Sequence, residues 1–475
     1  MRGLTSTIAL IVLLAGLGGY IYFVDSKRPA ASASGEDPKE KVYSVETDKI
    51  DEIKIAAGGE TSLLKKSDAG WKMIEPAPAD ADPAEAIGMA QALASLERVR
   101  VVDDNANDLA QYGLEKPAVR IDFKAQGNVS GSLKLGDKNA TQGEIYAQKN
   151  DEKTVFLVSA FQENSFNRKP FDLRDKKILK FDRDKADAVA IVRGPGSIEL
   201  ARAGTEWKVM KPGTGRSDYA AVEGLLSRLS GANMSKLVEA DAKDLAKYGL
   251  DQPVMSITVG AGSSKTVLEV GKTENDVGHP FKGATYARDA SRPLVFTVDS
   301  TLQEDFKKSL DDYRKKELFE FRPFLLAKLR AVLDTPGGAK TYEFEKVKGA
   351  KPNDPETWKV TRVGGETVTA DQAAMDDLLN KLIGLKAESW VDAKTRTGLE
   401  KPALVVSASH DEGKFERVRF GQVGDNAYGA RDGEAGVVKV DTPSMRGAML
   451  AFDTVVLPPK PPATPAAPDK AGEKK

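Results

Sequence analysis

This 475-residue chain predicts an α+β fold: three similar units, each a mainly antiparallel sheet with packed helices. Three observations carry that expectation. A tryptophan-led strand recurs as GWKMIEP around Trp71, EWKVMKP around Trp207 and TWKVTRV around Trp358. At nearly the same interval each is followed by a short phrase: YGLEKP at Tyr112–Pro117, YGLDQP at Tyr248–Pro253 and GLEKP at Gly398–Pro402. A glycine-ended strand comes next (LKLG to Gly136, LEVG to Gly271, VRFG to Gly421), then a tyrosine strand with Tyr146, Tyr286 or Tyr428, then a closing apolar strand. Markers recurring in one order are the signature of internal repetition. Consecutive strands separated by short polar turns favour antiparallel pairing.

In chain order, residues 1–3 form a short cytoplasmic end and Leu4–Val24 a transmembrane anchor. The stretch LTSTIALIVLLAGLGGYIYFV carries no charge. As a helix it extends roughly 31 Å, matching a hydrocarbon core of about 30 Å. It exceeds the about 7–15 apolar residues of a cleaved signal, and the cleavage-like Ala31-Ser32-Ala33 lies well beyond it. With the short end inside, Tyr20, Tyr22 and Phe23 reach the outer interface that aromatic rings favour. The bulk of the chain is then extracytoplasmic, periplasmic in a cell with two membranes, and membrane lipid is the first expected partner. Residues 25–40 read as a linker. Residues 41–182, 183–322 and 323–455 are the three units, the third divergent. Residues 456–475, rich in proline, form a disordered tail.

Within each unit a helix follows the tryptophan strand. Asp82-Pro-Ala-Glu85 supplies an N-cap, a proline at the first helical position and a glutamate three residues on. Thr369-Ala-Asp-Gln372 reads the same way, and Ser217 opens the middle copy. Val222, Leu225, Leu226 and Leu229 then recur at helical spacing, as do Leu378, Leu379 and Leu382. The recurring phrase closes a second, short helix. Asp108 and Asp244 cap its start, the glycine takes a left-handed conformation at its end, and the proline stops continuation.

Composition limits the chemistry. Without cysteine there are no disulfides, thiolate metal sites or cysteine nucleophiles. With two histidines, His279 and His410, a histidine-rich metal site is excluded. A formal net charge of −1 provides no basic field for nucleic acid. Gly271-Lys272-Thr273 resembles the end of a phosphate loop, but Thr266 stands where the earlier glycine is required. Asp103 to Asn107 alternates oxygen ligands like a calcium loop, yet lacks its glycine and closing glutamate. No catalytic, cofactor or metal residue is predicted. Two other places draw notice. Asp172 to Phe181 (DLRDKKILKF) matches Asp312 to Phe321 (DYRKKELFEF), so Arg174 and Arg314 are expected to tie successive units together through charged hydrogen bonds. The longest gap between glycine strand and tyrosine, in the middle unit, holds His279, Pro280 and Phe281, a candidate partner loop.

An N-terminal span followed by repeats carrying the strand tryptophan, the YGLEKP/YGLDQP phrase and LKLG…YAQ…VFLV resembles the bacterial "domain of unknown function 4340" family. The likeness covers most of residues 41–322; the third unit departs, with Thr397 before Gly398 where tyrosine is expected. The resemblance implies an envelope protein associated with an ABC-type transporter and its gliding-motility-like accessory subunits, and transfers no catalytic residue. The expected function is a non-enzymatic, single-pass scaffold or accessory protein with an envelope protein partner. The alternatives are a cell-wall polymer module presenting Tyr146, Tyr286 and Tyr428, and an envelope hydrolase.

Overall fold

The structure, a computed structural model, describes residues 40–274, 283–349, 351, 355–411 and 413–456. The span expected at Leu4–Val24, the tail after Val456 and nearly all of the linker lie outside them. Among the described residues no helix is long and apolar enough to cross a membrane.

Hydrophobic alternation with a period of two builds the first sheet. Its strands are β1 (Ile50–Ala57), β2 (Glu60–Ser67), β3 (Gly70–Glu75), β4 (Ala79–Asp80), β5 (Arg100–Asp103), β6 (Val119–Ala125), β7 (Val129–Lys138), β8 (Glu144–Lys149) and β9 (Val155–Ser159). They lie in the order β4-β3-β2-β1-β6-β7-β8-β9-β5, every neighbour antiparallel. A second sheet, from Ala188–Arg193 to Val295–Val298, and a third, from Leu326–Thr335 to Val437–Val440, have the same nine-strand order. The expected threefold repetition of antiparallel sheets is therefore present. The strand Arg100–Asp103, which closes the far edge, and its counterparts Lys236–Glu239 and Ser389–Val391 were not anticipated.

One face of each sheet is apolar. Ile53 and Ile55 on β1 and Val119, Ile121 and Phe123 on β6 are buried against Ala86, Met89, Ala90 and Leu93 of the helix Pro83–Ala94. Fully burying one such aliphatic side chain is worth about 1.5–3 kcal/mol, so this layer carries most of the unit's stability. The opposite face is charged: Glu52 bridges Lys65 at 3.0 Å and Lys124 at 2.9 Å across three strands.

Helix starts differ in detail from expectation. Asp82 caps as predicted, its carboxylate accepting from the amides of Ala84 and Glu85. In the other copies the cap is Asp218 or Asp371 rather than Ser217 or Thr369. Ser217 instead donates its hydroxyl to the Tyr313 carbonyl at 2.6 Å, and Thr369 ends a strand. The short helix before the phrase is a three-residue 3₁₀ turn, Ala110–Tyr112 or Ala246–Tyr248. Asp108 and Asp244 still cap it, accepting from the amides two residues on.

The phrase and the glycine-ended strand explain each other. Gly113, Gly249 and Gly398 have φ of 68°, 66° and 70°, the left-handed region that reverses the chain after the turn. That reversal drives the preceding carbonyl onto the sheet. A Cβ on Gly136 would stand 2.1 Å from the Tyr112 carbonyl oxygen. On Gly271 it would stand 2.2 Å from that of Tyr248, and on Gly421 2.2 Å from that of Thr397. Leu114 and Leu250, just after the turn, are buried beneath it.

Beyond the sheets the first and second repeats end in paired helices, Phe161–Phe166 with Pro170–Leu173 and Ser300–Lys307 with Leu310–Tyr313. The third ends in one longer helix, Thr442–Val455. The chain divides into two compact units at Asp175/Lys176, the second holding both later sheets.

Gly136→Ala, Gly271→Ala and Gly421→Ala should each lower stability by at least about 1–3 kcal/mol, the usual cost of overpacking. Gly88→Ala, in a helix with open space around it, should raise stability by about 0.5–1 kcal/mol. Thermal and urea unfolding of the four variants checks both directions.

Candidate functional site

The repeated tyrosines face inward on one another. Tyr112 and Tyr146 have ring centroids 5.0 Å apart, and Tyr248 and Tyr286 5.1 Å apart. The Tyr112 hydroxyl donates to Asp103 at 3.3 Å and the Tyr248 hydroxyl to Glu239 at 2.5 Å. Burial, then the nearby carboxylate, pushes the Tyr112 and Tyr286 hydroxyls above their ordinary range, Asp103 acting on the first and Glu274 on the second. Tyr428 is buried, and the third copy has Thr397 rather than a tyrosine before its phrase glycine. These side chains fill small satellite cores rather than forming an aromatic platform.

The two ligand-like motifs are occupied by backbone. Asp103 accepts from the Asn105 amide at 2.9 Å, and Asp108 from that of Ala110. Gly271 is held by its contact with the Tyr248 carbonyl rather than by any phosphate-loop geometry. Among the described residues no group of three or more His, Asp or Glu side chains is placed to hold a metal ion. His279, Pro280 and Phe281 lie outside the described residues.

The most concentrated charge cluster lies in the second compact unit, where the second repeat meets the third. Backbone bridges set it up. Arg314 pairs with Ser217 of the second repeat, and three residues later Glu317 pairs with Lys386 of the third. The segment thus holds one sheet's rim at its start and the next at its end. The Arg314 guanidinium lies 5.1 Å from the Trp390 ring centroid and 3.2 Å from Asp311. In the first compact unit the matching Arg174 is buried and pairs with Ala81. Neither arginine projects into solvent.

Residues outside the shared phrase complete the cluster, and the phrase gives no sign of them. Arg216 binds Glu434, donates to the Glu317 carbonyl at 2.7 Å and lies 3.3 Å from Glu320. Arg431 binds both Glu416 and Glu434 and donates to the Leu318 carbonyl at 3.0 Å. The fully buried Glu416 also accepts from the amides of Glu320 and Phe321, at 3.0 and 2.9 Å, with His410 Nε2 3.5 Å away. Glu416 occupies the strand position that Gly131 holds in the first repeat. The residues therefore appear once each and leave no repeated pattern; only the departure of a core-facing position to glutamate marks them. Paired charges of this kind link the second repeat to the third within the second compact unit.

Burial pushes the Glu320 carboxyl upward, but Arg216, Lys315 and Arg431 outweigh it and hold the group below its ordinary range. Such a group contributes stability above the unfolded-state value of about 4.3, and loses it as pH falls through the lower folded value. Arg216→Ala should destabilise the second compact unit by about 1–3 kcal/mol at neutral pH. The gap to wild type should narrow as pH falls from about 5 to about 3. Urea melts across that range check both statements.

The model of the family described as "Domain of unknown function (DUF4340)" matches residues 71–218 and 207–402, two overlapping copies. No curated protein matches. Among solved structures, a DNA polymerase sliding clamp from Pseudomonas aeruginosa with ligand is 11% identical, covering 83% of this chain and 92% of that one, with a TM-score of 0.15. A DnaN sliding clamp from the same organism, bound to griselimycin, is 10% identical over 84% and 93%, with a TM-score of 0.12. Scores this low carry no inference. The family matches, spanning well over half of the sequence and repeating with the sheets, place the chain in the DUF4340 family.

Proposed function

We propose that this chain is a non-enzymatic scaffold held at the cytoplasmic membrane by Leu4–Val24, with its repeats on the extracytoplasmic side binding another envelope component. Subunits of an ABC-type transporter of the gliding-motility-like class are the partner that the family resemblance implies. One observation carries the scaffold reading: three sheets of identical order whose recurrent residues are spent on folding. The phrase glycines, the strand glycines and the paired tyrosines all serve the turn-to-sheet contact, which leaves the sheet faces and loops as the variable, partner-facing parts. Tandem repeats of this kind work through extended surfaces rather than a single cleft.

A second reading, a wall-polymer module, has one observation in its favour. The open face of the third sheet forms a groove of about 530 Å³ lined by Phe415, Arg330, Glu343, Thr361 and Ser407. Phe415 is 60% exposed there, offering a ring beside polar groups, a combination suited to sugars.

Affinity purification of the tagged full chain from gently solubilised membranes should recover transporter subunits in near-stoichiometric amounts. Deleting Leu4–Val24 should move the chain to the soluble fraction. Replacing His279 and Phe281 together with serine should weaken the recovery of partner. Wild-type chain found free of the membrane, or purified without protein partners while retaining glycan in a Phe415-dependent manner, would overturn the proposal in favour of the second reading.

A further inference from the structure

The three repeats differ at one place beside the strand tryptophan. A basic residue on the neighbouring strand stands opposite it in every copy: Lys66 with Trp71, Arg202 with Trp207, Lys346 with Trp358. In the second repeat this cation is neutralised from within. Glu223, on the helix Tyr219–Gly231, lies 2.6 Å from Arg202 and 3.3 Å from Arg183, and accepts from the Trp207 indole at 2.9 Å. In the third, Lys346 is 3.6 Å from Glu356, and Asp376 occupies the helix position of Glu223.

The first repeat has Ile87 at that helix position, five residues past the Asp82 cap as Glu223 is past Asp218. Lys66 reaches only the Asp48 backbone carbonyl, at 3.0 Å; the Asp48 carboxylate is 3.6 Å from Lys49. Among the described residues neither Lys66 nor Lys41 has a carboxylate partner, and no acceptor meets the indole N–H of Trp71, which lines the surface beside them. What lies between is a groove of about 840 Å³. Val45, Trp71, Pro83, Ile87, Ala90 and Ala94 form its apolar lining, while Lys41 and Lys66, with the exposed Glu46 and Asp48, stand at its rim. Ile87 is 43% exposed into it.

We propose that this groove docks a partner polypeptide through a glutamate or aspartate flanked by aliphatic side chains. The partner's carboxylate takes the place that Glu223 fills internally in the second repeat: it accepts from the Trp71 indole and pairs with Lys66, while its aliphatic neighbours cover Ile87, Ala90 and Val45. The second repeat points to an acidic ligand, because the Trp71 indole and Lys66 each lack the negative group that their counterparts there possess in Glu223. A side-chain carboxylate on a peptide fits better than a fatty acid, since the internal occupant is itself a glutamate. The inference rests on the scaffold reading and names the chemistry of one partner contact; the membrane fractionation above tests that reading separately.

Full-length protein in detergent micelles, labelled with ¹⁵N at its four tryptophans, gives four indole signals assignable by single Trp→Phe replacements. Titration with acetyl-Leu-Glu-Leu-amide should move the Trp71 indole proton downfield and saturate. Acetyl-Leu-Gln-Leu-amide should bind about tenfold more weakly or not at all. Ile87→Glu, at a solvent-facing helix position, should shift the same signal without ligand and reduce peptide affinity about tenfold, and Lys66→Ala should reduce it severalfold. No response to the glutamate peptide at millimolar concentration would overturn the proposal. So would an equal response to the glutamine peptide, unchanged affinity in Ile87→Glu, or saturation by laurate alone.

Discussion

A carbonyl oxygen laid on a strand glycine is the contact on which each repeat depends. The left-handed glycine of the phrase turns the chain so that the Tyr112, Tyr248 or Thr397 carbonyl meets the sheet where Gly136, Gly271 or Gly421 leaves room for it. Two glycines far apart in sequence are thus one constraint. The first supplies a backbone conformation that other residues adopt at a cost, and the second supplies the absence of a side chain. Between them they fix where the strand after the turn enters, next to β1, and so join the two halves of the sheet.

Much of the fold is legible in the sequence because its determinants are local. A capping aspartate, a left-handed glycine and a following proline act within a few residues, so Asp82, Asp108 and Gly113 could be read directly. Where two capping residues stand side by side, locality fails: Ser217 and Asp218 are equally plausible caps until the Tyr313 carbonyl claims the serine hydroxyl. Short strands at the rim, such as Arg100–Asp103, are too brief to show alternation and exist only because β9 is there to pair with them. The charged residues around Arg314 differ in how far the sequence shows them. Arg314 sits in a phrase written twice, whereas Arg216, Glu416 and Arg431 gain meaning only when distant strands bring them together.

Repetition also explains where the copies diverge. Positions bound by the turn-to-sheet contact stay alike, while positions that fill space beyond it exchange volume and charge. Phe123 faces Gly131 in the first sheet, and Ala408 faces Glu416 at the matching place in the third. Bulk has moved from one strand to its neighbour, and a buried carboxylate has entered with partners to satisfy it. The helix position shared by Ile87, Glu223 and Asp376 shows the same freedom.

Each sheet ends on very short strands, Ala79–Asp80 at one rim and Arg100–Asp103 at the other in the first copy. A long bare edge would offer its unpaired amides and carbonyls to any similar strand nearby. Here the nearest similar strands belong to the same polypeptide, at a concentration no dilution can lower. Truncated rims leave little backbone for a sibling copy to grasp, which favours three sheets closing separately over strands traded between them as the chain emerges.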